Sequence, residues 1–203
     1  MTTRIFLTAL VFLFGVGVMS GTAGALDLNP LTAIKSAFEA VVEDRSVEDI
    51  ASDLTIKGKL TIDVIDEMGS DVISIGADVY EQVVMLTGTV ETAKQKSTAG
   101  RLAKSIENVK KVYNEILVIK DIDKKKGAAE SYIDDTVIET KINAQLLDAG
   151  GVNVTNFRYR SVGGKVFLFG RALSNSELKK ALKVVKSIDN VVSVKSRVKV
   201  RPK

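Results

Sequence analysis

Apolar residues recur along this chain at spacings typical of helices and of strands, and the same succession of helical and extended segments occurs twice. In the second occurrence, a helical stripe at four-residue spacing comes first: Ile138, Ile142 and Leu146. Two extended segments follow, Val154–Arg160 and Val166–Arg171, and Gly163-Gly164 between them predicts a tight hairpin. The next helix has a four-residue apolar stripe: Leu178, Ala181, Leu182 and Val185. With a last strand over Val191–Arg201, the pattern predicts an α-β-β-α-β unit.

A shift of 82 residues superimposes the earlier occurrence on the later one without a gap, and 17 of the 66 positions from Asp53 to Val118 are identical. Polar residues typical of helix N-termini precede the helices in both copies: Ser46 with Asp49, Thr92 with Gln95, Ser131 with Asp134, and Ser174 with Glu177. The hairpin of the first copy is expected at Glu81-Gln82. The fold class is therefore α+β, with two tandem two-layer α-β-β-α-β sandwiches at residues 47–120 and 131–203 and a linker at 121–130.

The segment before the repeats has a different character. Arg4, an apolar run from Ile5 to Met19, and the small residues Ala23 and Ala25 predict a secretory signal peptide over residues 1–25, cleaved after Ala25. An uncleaved membrane anchor is the alternative, but the run is shorter than the roughly 20 residues that span a bilayer. Residues 26–46 are predicted to hold a short amphipathic helix that starts at Pro30, with the stripe Leu31, Ile34, Phe38 and Val41.

One sequence motif occurs in both copies. A strand ending in V-x-L-x-G is followed by a helix and then by I-x-x-V-x-x-V: first at Val84–Gly88 and Ile106–Val112, then at Val166–Gly170 and Ile188–Val194. In these stretches the chain resembles the BON domain family, and as a whole it resembles the two-domain BON proteins of the Gram-negative periplasm. The resemblance implies a non-enzymatic envelope protein, linked to osmotic stress, that binds phospholipid or supports other envelope proteins.

Composition excludes several kinds of chemistry. The chain has no cysteine and no histidine, which removes disulfides, thiolate metal sites and the commonest general base. The adjacent carboxylates Asp134-Asp135 and Asp66-Glu67 are expected to serve helix ends rather than to face each other across a substrate. The sequence therefore predicts no enzyme activity, no cofactor and no metal site.

Charge is distributed unequally between the two copies. Residues 47–120 have 9 basic and 12 acidic side chains, whereas residues 131–203 have 14 basic and 6 acidic ones. Alternation along the last strand predicts four cations on one sheet face, and the preceding helix adds four lysines. The candidate phospholipid-binding residues are Lys179, Lys180, Lys183, Lys186, Lys195, Arg197, Lys199 and Arg201.

The same strand face in the first copy consists of Tyr113, Glu115, Leu117 and Ile119 and is mostly apolar. Such a face requires a cover, and we expect either the helix in residues 26–46 or the other copy to supply it. The sheet of the second copy would then be free to face an anionic phospholipid surface. Two alternatives stay open: the cations serve only solubility, or the protein binds other envelope proteins. Nucleic acid is not expected as a partner because the signal peptide directs the chain to the periplasm.

Overall fold

The computed structural model describes residues 44–69, 74–119 and 128–202, with side chains from residue 134 in the last range. The predicted signal peptide, the amphipathic helix stripe at Leu31–Val41 and most of the predicted linker lie outside the described residues.

In the first domain, α1 (Val47–Met68) leads to the hairpin of β1 (Ile75–Tyr80) and β2 (Val83–Val90). Helix α2 (Ala93–Ser105) follows, and then come two short strands, β3 (Lys111–Asn114) and β4 (Leu117–Val118). Strand β2 is central: β1 pairs with it antiparallel, and β3 and β4 both pair with it parallel. Because β2 and β3 are parallel, the chain must cross over between them, and α2 makes this crossover.

The second domain repeats this topology. It consists of α3 (Ala128–Asp148), β5 (Phe157–Val162), β6 (Lys165–Ala172), α4 (Asn175–Lys186), β7 (Ser193–Ser196) and β8 (Lys199–Val200). Strand β6 is central, with β5 antiparallel to it and β7 and β8 parallel to it. The predicted fold class, two tandem α-β-β-α-β units, is confirmed.

Three predicted boundaries differ from the structure. Helix α3 begins at Ala128, so Ser131 lies inside it and does not cap it; alanines, the best helix formers, extend it toward the N-terminus. Val154–Asn156 form a turn of 3₁₀ helix, so the strand begins only at Phe157. The last strand is interrupted between Ser196 and Lys199, where the Ser196 hydroxyl accepts a hydrogen bond from the Val198 amide.

The other predicted helix starts are confirmed. Ser46, Thr92 and Ser174 are the N-caps of α1, α2 and α4, and each accepts a hydrogen bond from the amide three residues later. Both hairpins turn where predicted, at Glu81-Gln82 and at Gly163-Gly164, with positive φ at all four residues.

An aspartate at the same position of each repeat fastens the hairpin to the first helix. The Asp53 carboxylate accepts hydrogen bonds from the amides of Glu81 (2.8 Å) and Gln82 (2.7 Å). Asp135 does the same for Gly163 (2.7 Å) and Gly164 (3.0 Å). The expectation that Asp135 serves a helix end is therefore wrong, because its oxygens are used by the backbone of the neighbouring turn.

The repeated glycine of the V-x-L-x-G motif has a steric reason. Gly88 and Gly170 have φ values of +108° and +110°. A Cβ atom would lie 1.7 Å from the Ser74 carbonyl oxygen at Gly88 and 2.1 Å from the Asn156 carbonyl oxygen at Gly170. Only glycine allows the preceding strand to approach this closely.

Each domain has its own hydrophobic core between its two helices and one face of its sheet. In the first, Ile56 and Leu60 of α1 meet Val84 and Leu86 of β2. In the second, the predicted stripe Ile138, Ile142 and Leu146 packs with Val166 and Leu168. The helices cover only one face of each sheet, so the second face of each sheet is left for other contacts.

Candidate binding surface and the interface between the domains

The uncovered faces of the two sheets pack against each other. Five buried residues form a third apolar cluster between the domains: Tyr80, Val83, Met85, Phe167 and Phe169. The Phe169 ring makes edge-to-face contacts with Tyr80 (6.5 Å between centroids) and with Tyr113 (6.3 Å). Leu117 and Tyr113 pack against this cluster from the first domain. The molecule therefore has four layers in the order helices, sheet, sheet, helices.

This packing tests two sequence-based expectations, one for the sheet of each copy. The apolar face of the first sheet is covered by the other copy, which was one of the two alternatives. The expectation that the second sheet stays free for an anionic partner is wrong, because the contact that covers the first sheet also covers the second. The predicted alternation of the last strand is correct: Val194, Val198 and Val200 pack on their own core.

Glu115 of the first domain holds two of the predicted binding cations. Its carboxylate accepts hydrogen bonds from Lys195 Nζ (2.5 Å) and from Arg197 Nε (2.8 Å). The Glu115 side chain is only 8% exposed. Burial by itself would raise its pKa, but the hydrogen bonds and positive charges of Lys195 and Arg197 outweigh burial and lower the pKa below the ordinary value of 4.5. Glu115 is therefore ionised at neutral pH.

Glu81, at the hairpin turn of the first domain, pairs with two arginines of the second. One oxygen contacts Arg201, a third predicted binding cation, and the other lies 3.7 Å from Arg171. Arg171 also donates to the carbonyl oxygen of Asp44 (2.7 Å). These contacts close one end of the interface.

Asp78 forms a third ionic contact near the apolar cluster. Its Oδ1 lies 3.1 Å from Arg160 of the second domain, and its buried Oδ2 has no hydrogen-bond partner among the described residues. Arg160 also approaches Glu139 of its own domain (3.6 Å). Burial raises the pKa of Glu139, while the charge of Arg160 and the Ser161 amide oppose this rise.

The ionic contacts across the interface have one polarity. The carboxylates Asp78, Glu81 and Glu115 come from the first domain, and the cations Arg160, Arg171, Lys195, Arg197 and Arg201 come from the second. Part of the charge difference between the copies is therefore used to join them. Opposite charges placed in this way also fix which faces meet.

The remaining predicted cations lie on exposed surface. Lys179, Lys180, Lys183 and Lys186 are all exposed on α4, opposite the buried residues Ala181 and Val185. Lys180 also donates to the carbonyl oxygen of Gly150. Lys199 is exposed on β8. Among the predicted residues, the structure therefore groups the four helix lysines on one face and commits three of the four strand cations to the interface.

Sequence reasoning identified Tyr113 and Leu117 of the interface but missed the apolar residues of the central strands, although a signal was present. Strands β2 and β6 contain the uninterrupted apolar runs Val83–Leu86 and Val166–Phe169. A strand that is buried on one face alternates between apolar and polar residues, whereas an uninterrupted run indicates burial on both faces. Met85 and Phe167, at corresponding positions of the repeat, are the interface residues that this signal identifies.

The fold and the interface define a tandem α+β protein whose two domains join through their sheets. The chain belongs to the BON domain family, whose family model matches residues 52–120 and 134–202. No helix in the described ranges is both long and apolar enough to cross a bilayer.

Three relatives extend the family assignment. The chain is 30% identical over 199 residues to the osmotically-inducible protein Y of Escherichia coli, covering 96% of this chain and 95% of that protein. It is 35% identical to an uncharacterized protein of Anaplasma centrale (63% and 82% covered). It is 30% identical to the outer membrane lipoprotein DolP of Haemophilus influenzae (57% and 63% covered).

Among solved structures, the chain is similar to CdsD, a structural protein of the type III secretion system of Chlamydia trachomatis. The TM-score is 0.32 at 12% identity, with 72% of this chain and 92% of that chain covered. A score this low carries no functional conclusion.

Proposed function

We propose that this protein is a non-enzymatic component of the Gram-negative periplasm that serves the envelope under osmotic stress and docks reversibly on anionic phospholipid through α4. Similarity to an osmotically inducible protein and to an outer membrane lipoprotein supports the setting. The observation that supports the docking surface is the row of four exposed lysines on α4.

The row has the properties of a weak electrostatic contact. A basic residue near an anionic membrane surface contributes about 1 kcal/mol, so three or four acting together give binding that is reversible and sensitive to salt. Lys179, Lys183 and Lys186 lie three or four residues apart and therefore share one side of the helix. Of the strand cations, we retain the exposed Lys199 in the proposed surface, while Lys195, Arg197 and Arg201 contribute to it only as far as their ion pairs with Glu115 and Glu81 allow.

The test is co-sedimentation of residues 26–203 with vesicles of zwitterionic lipid, and then with vesicles containing phosphatidylglycerol, at low and high salt. We expect binding to the anionic vesicles only, and its loss in high salt. Replacing Lys179, Lys183 and Lys186 by glutamate should abolish this binding and leave the circular dichroism spectrum unchanged.

The matched control makes the same charge change on exposed lysines of the first domain, by replacing Lys57, Lys59 and Lys104 with glutamate. Net charge then falls equally, so a general electrostatic effect would weaken both variants equally. Equal binding by the two triple variants would refute the assignment to α4.

A second candidate function is chaperone-like or scaffolding binding of other envelope proteins. The interface covers the apolar sheet face that first suggested it, but α1 exposes other large apolar side chains: Leu54 (56%), Ile62 (57%) and Ile65 (45%). Binding through them would be insensitive to salt, unlike docking on phospholipid. Replacing Leu54 and Ile62 by serine should then weaken client binding and leave vesicle binding unchanged.

A further inference from the structure

A cleft of about 270 Å³ lies where the two domains meet, at the edge of the sheet-to-sheet contact. Its polar lining comes from both domains: Lys96 and Glu115 from the first, and Lys165, Ser193 and Lys195 from the second. Leu117 and Phe167 supply apolar wall on either side. The volume is close to the lower end of small-molecule sites, about 300 Å³.

The charges that line this cleft do not balance. It contains three lysines and one carboxylate, and that carboxylate, Glu115, already pairs with Lys195 and Arg197. Lys96 is half-buried and Lys165 is exposed, and neither makes an ion pair with any side chain that the structure describes. Two lysines that line the cleft therefore have no ion-pair partner among the described side chains, beside apolar walls of low dielectric. Such an arrangement raises the local concentration of anions.

We propose that this cleft binds a phosphate group. Lys96 and Lys165 would provide charge-assisted hydrogen bonds from opposite domains, and the Ser193 hydroxyl would provide a further donor. The site is distinct from the exposed lysines of α4. Because its lysines come from both domains, a bound phosphate also stabilises the closed arrangement of the two sheets.

The first measurement is isothermal titration of the chain with inorganic phosphate, against sodium chloride at equal ionic strength. We expect saturable 1:1 binding of phosphate, which chloride does not reproduce. Lys96→Gln and Lys165→Gln should each weaken it by about fivefold to tenfold, as expected for the loss of a charged hydrogen bond at a partly exposed site.

Lys94→Gln is the matched control, since it removes the same charge from an exposed position of α2 that does not line the cleft. Phosphate should also raise the unfolding temperature of the wild type and of Lys94→Gln, but not of the Lys96→Gln/Lys165→Gln double variant. No saturable binding, or equal affinity in all three single variants, would overturn the proposal.

Two further arms identify the source of the phosphate. If the double variant binds phosphatidic acid vesicles as the wild type does but no longer binds inorganic phosphate, the site takes a free phosphate. If the double variant binds neither the vesicles nor inorganic phosphate, the site takes a lipid headgroup.

The α4 triple variant separates this proposal from the previous one. It should retain inorganic phosphate binding even if vesicle binding is lost, and loss of phosphate binding in that variant would contradict a separate site.

Discussion

Replacing Glu115 by glutamine is the most direct test of how the two domains are joined. The substitution keeps the shape and one oxygen acceptor but removes the negative charge that faces Lys195 and Arg197. Both cations then lose their carboxylate partner in the interface, whereas the neighbouring apolar cluster is unchanged. We expect a lower free energy of unfolding at neutral pH.

The magnitude follows from the exposure of the two partners. The Lys195 side chain is 51% exposed, so its pair with Glu115 resembles a surface ion pair, worth less than about 1 kcal/mol. The Arg197 side chain is 33% exposed, and its Nε and one terminal nitrogen both contact the same Glu115 oxygen. A hydrogen bond to a charged group contributes about 1.5–3 kcal/mol, and partial exposure places this contact at the lower end. The expected loss is therefore about 2 kcal/mol.

The assay is urea unfolding followed by circular dichroism. With a slope of about 2 kcal/mol per molar urea, the midpoint should fall by about 1 M. Glu107→Gln is the control because Glu107 is an exposed carboxylate of the same domain. A midpoint for Glu115→Gln that equals the Glu107→Gln midpoint would refute the claim that this contact joins the domains.

The pH dependence provides a second readout of the same substitution. The folded pKa of Glu115 is lowered from 4.5, so its charge contributes stability above pH 4.5, and this contribution is lost as pH falls through the folded pKa. The difference between wild type and Glu115→Gln should therefore disappear at low pH. A constant difference at all pH values would contradict the electrostatic explanation.

Three further substitutions test other parts of the fold. Gly88→Ala places a Cβ 1.7 Å from the Ser74 carbonyl oxygen and should lower the free energy of unfolding, measured by thermal unfolding, by more than about 3 kcal/mol. The control Gly58→Ala has open space around it in α1 and should raise that free energy by up to about 1 kcal/mol. Equal effects of the two substitutions would contradict the steric argument. Asp53→Ala removes the acceptor of two hairpin amides and should lower the free energy of unfolding in urea by about 2–3 kcal/mol. A loss below about 0.5 kcal/mol, which is typical of a surface substitution, would show that the hairpin does not need Asp53. Burial raises the pKa of Glu139, so the wild type should gain stability as pH falls from that raised value toward 4.5, and Glu139→Gln should lose this gain; identical pH profiles would contradict it.

Local signals in the sequence were sufficient for the repeated unit. Identical positions reveal the 82-residue repeat. The N-cap residues Ser46, Thr92 and Ser174 and the two hairpin turns meet short-range backbone requirements that the local sequence shows. The repeated Asn108 and Asn190 show the same effect, since both have positive φ, which asparagine tolerates better than most residues. Helix boundaries were less predictable at Ser131, where neighbouring alanines extend the helix without a cap.

The cover of the first sheet by the other copy was one of two alternatives that the sequence left open, but the ion pairs of the interface were not predicted, because their residues resemble those of other environments. A lysine or arginine on a strand has the same pattern whether it faces water, a membrane or a carboxylate of another domain. Lys195, Arg197 and Arg201 were therefore assigned to an external anion, while their partners Glu115 and Glu81 lie about 80 to 120 residues earlier in the chain. The uninterrupted apolar run of β6 was the sequence signal that this sheet is buried on both faces.

Two ionic contacts across the interface join residues that correspond in the repeat. Asp78 meets Arg160, and Glu115 meets Arg197, and both pairs are 82 residues apart. Contacts between equivalent positions are what a two-fold axis produces. In a symmetric dimer of one single-domain chain, each of these positions would meet an identical residue, so like charges would face each other. Once duplication places the copies in one gene, each position can mutate alone, and a repulsive self-contact can become an acid–base pair. As a consequence, the copies are no longer interchangeable, because two first domains would bring Asp78 against Asp78. This charge pattern therefore favours association of unlike copies over like ones.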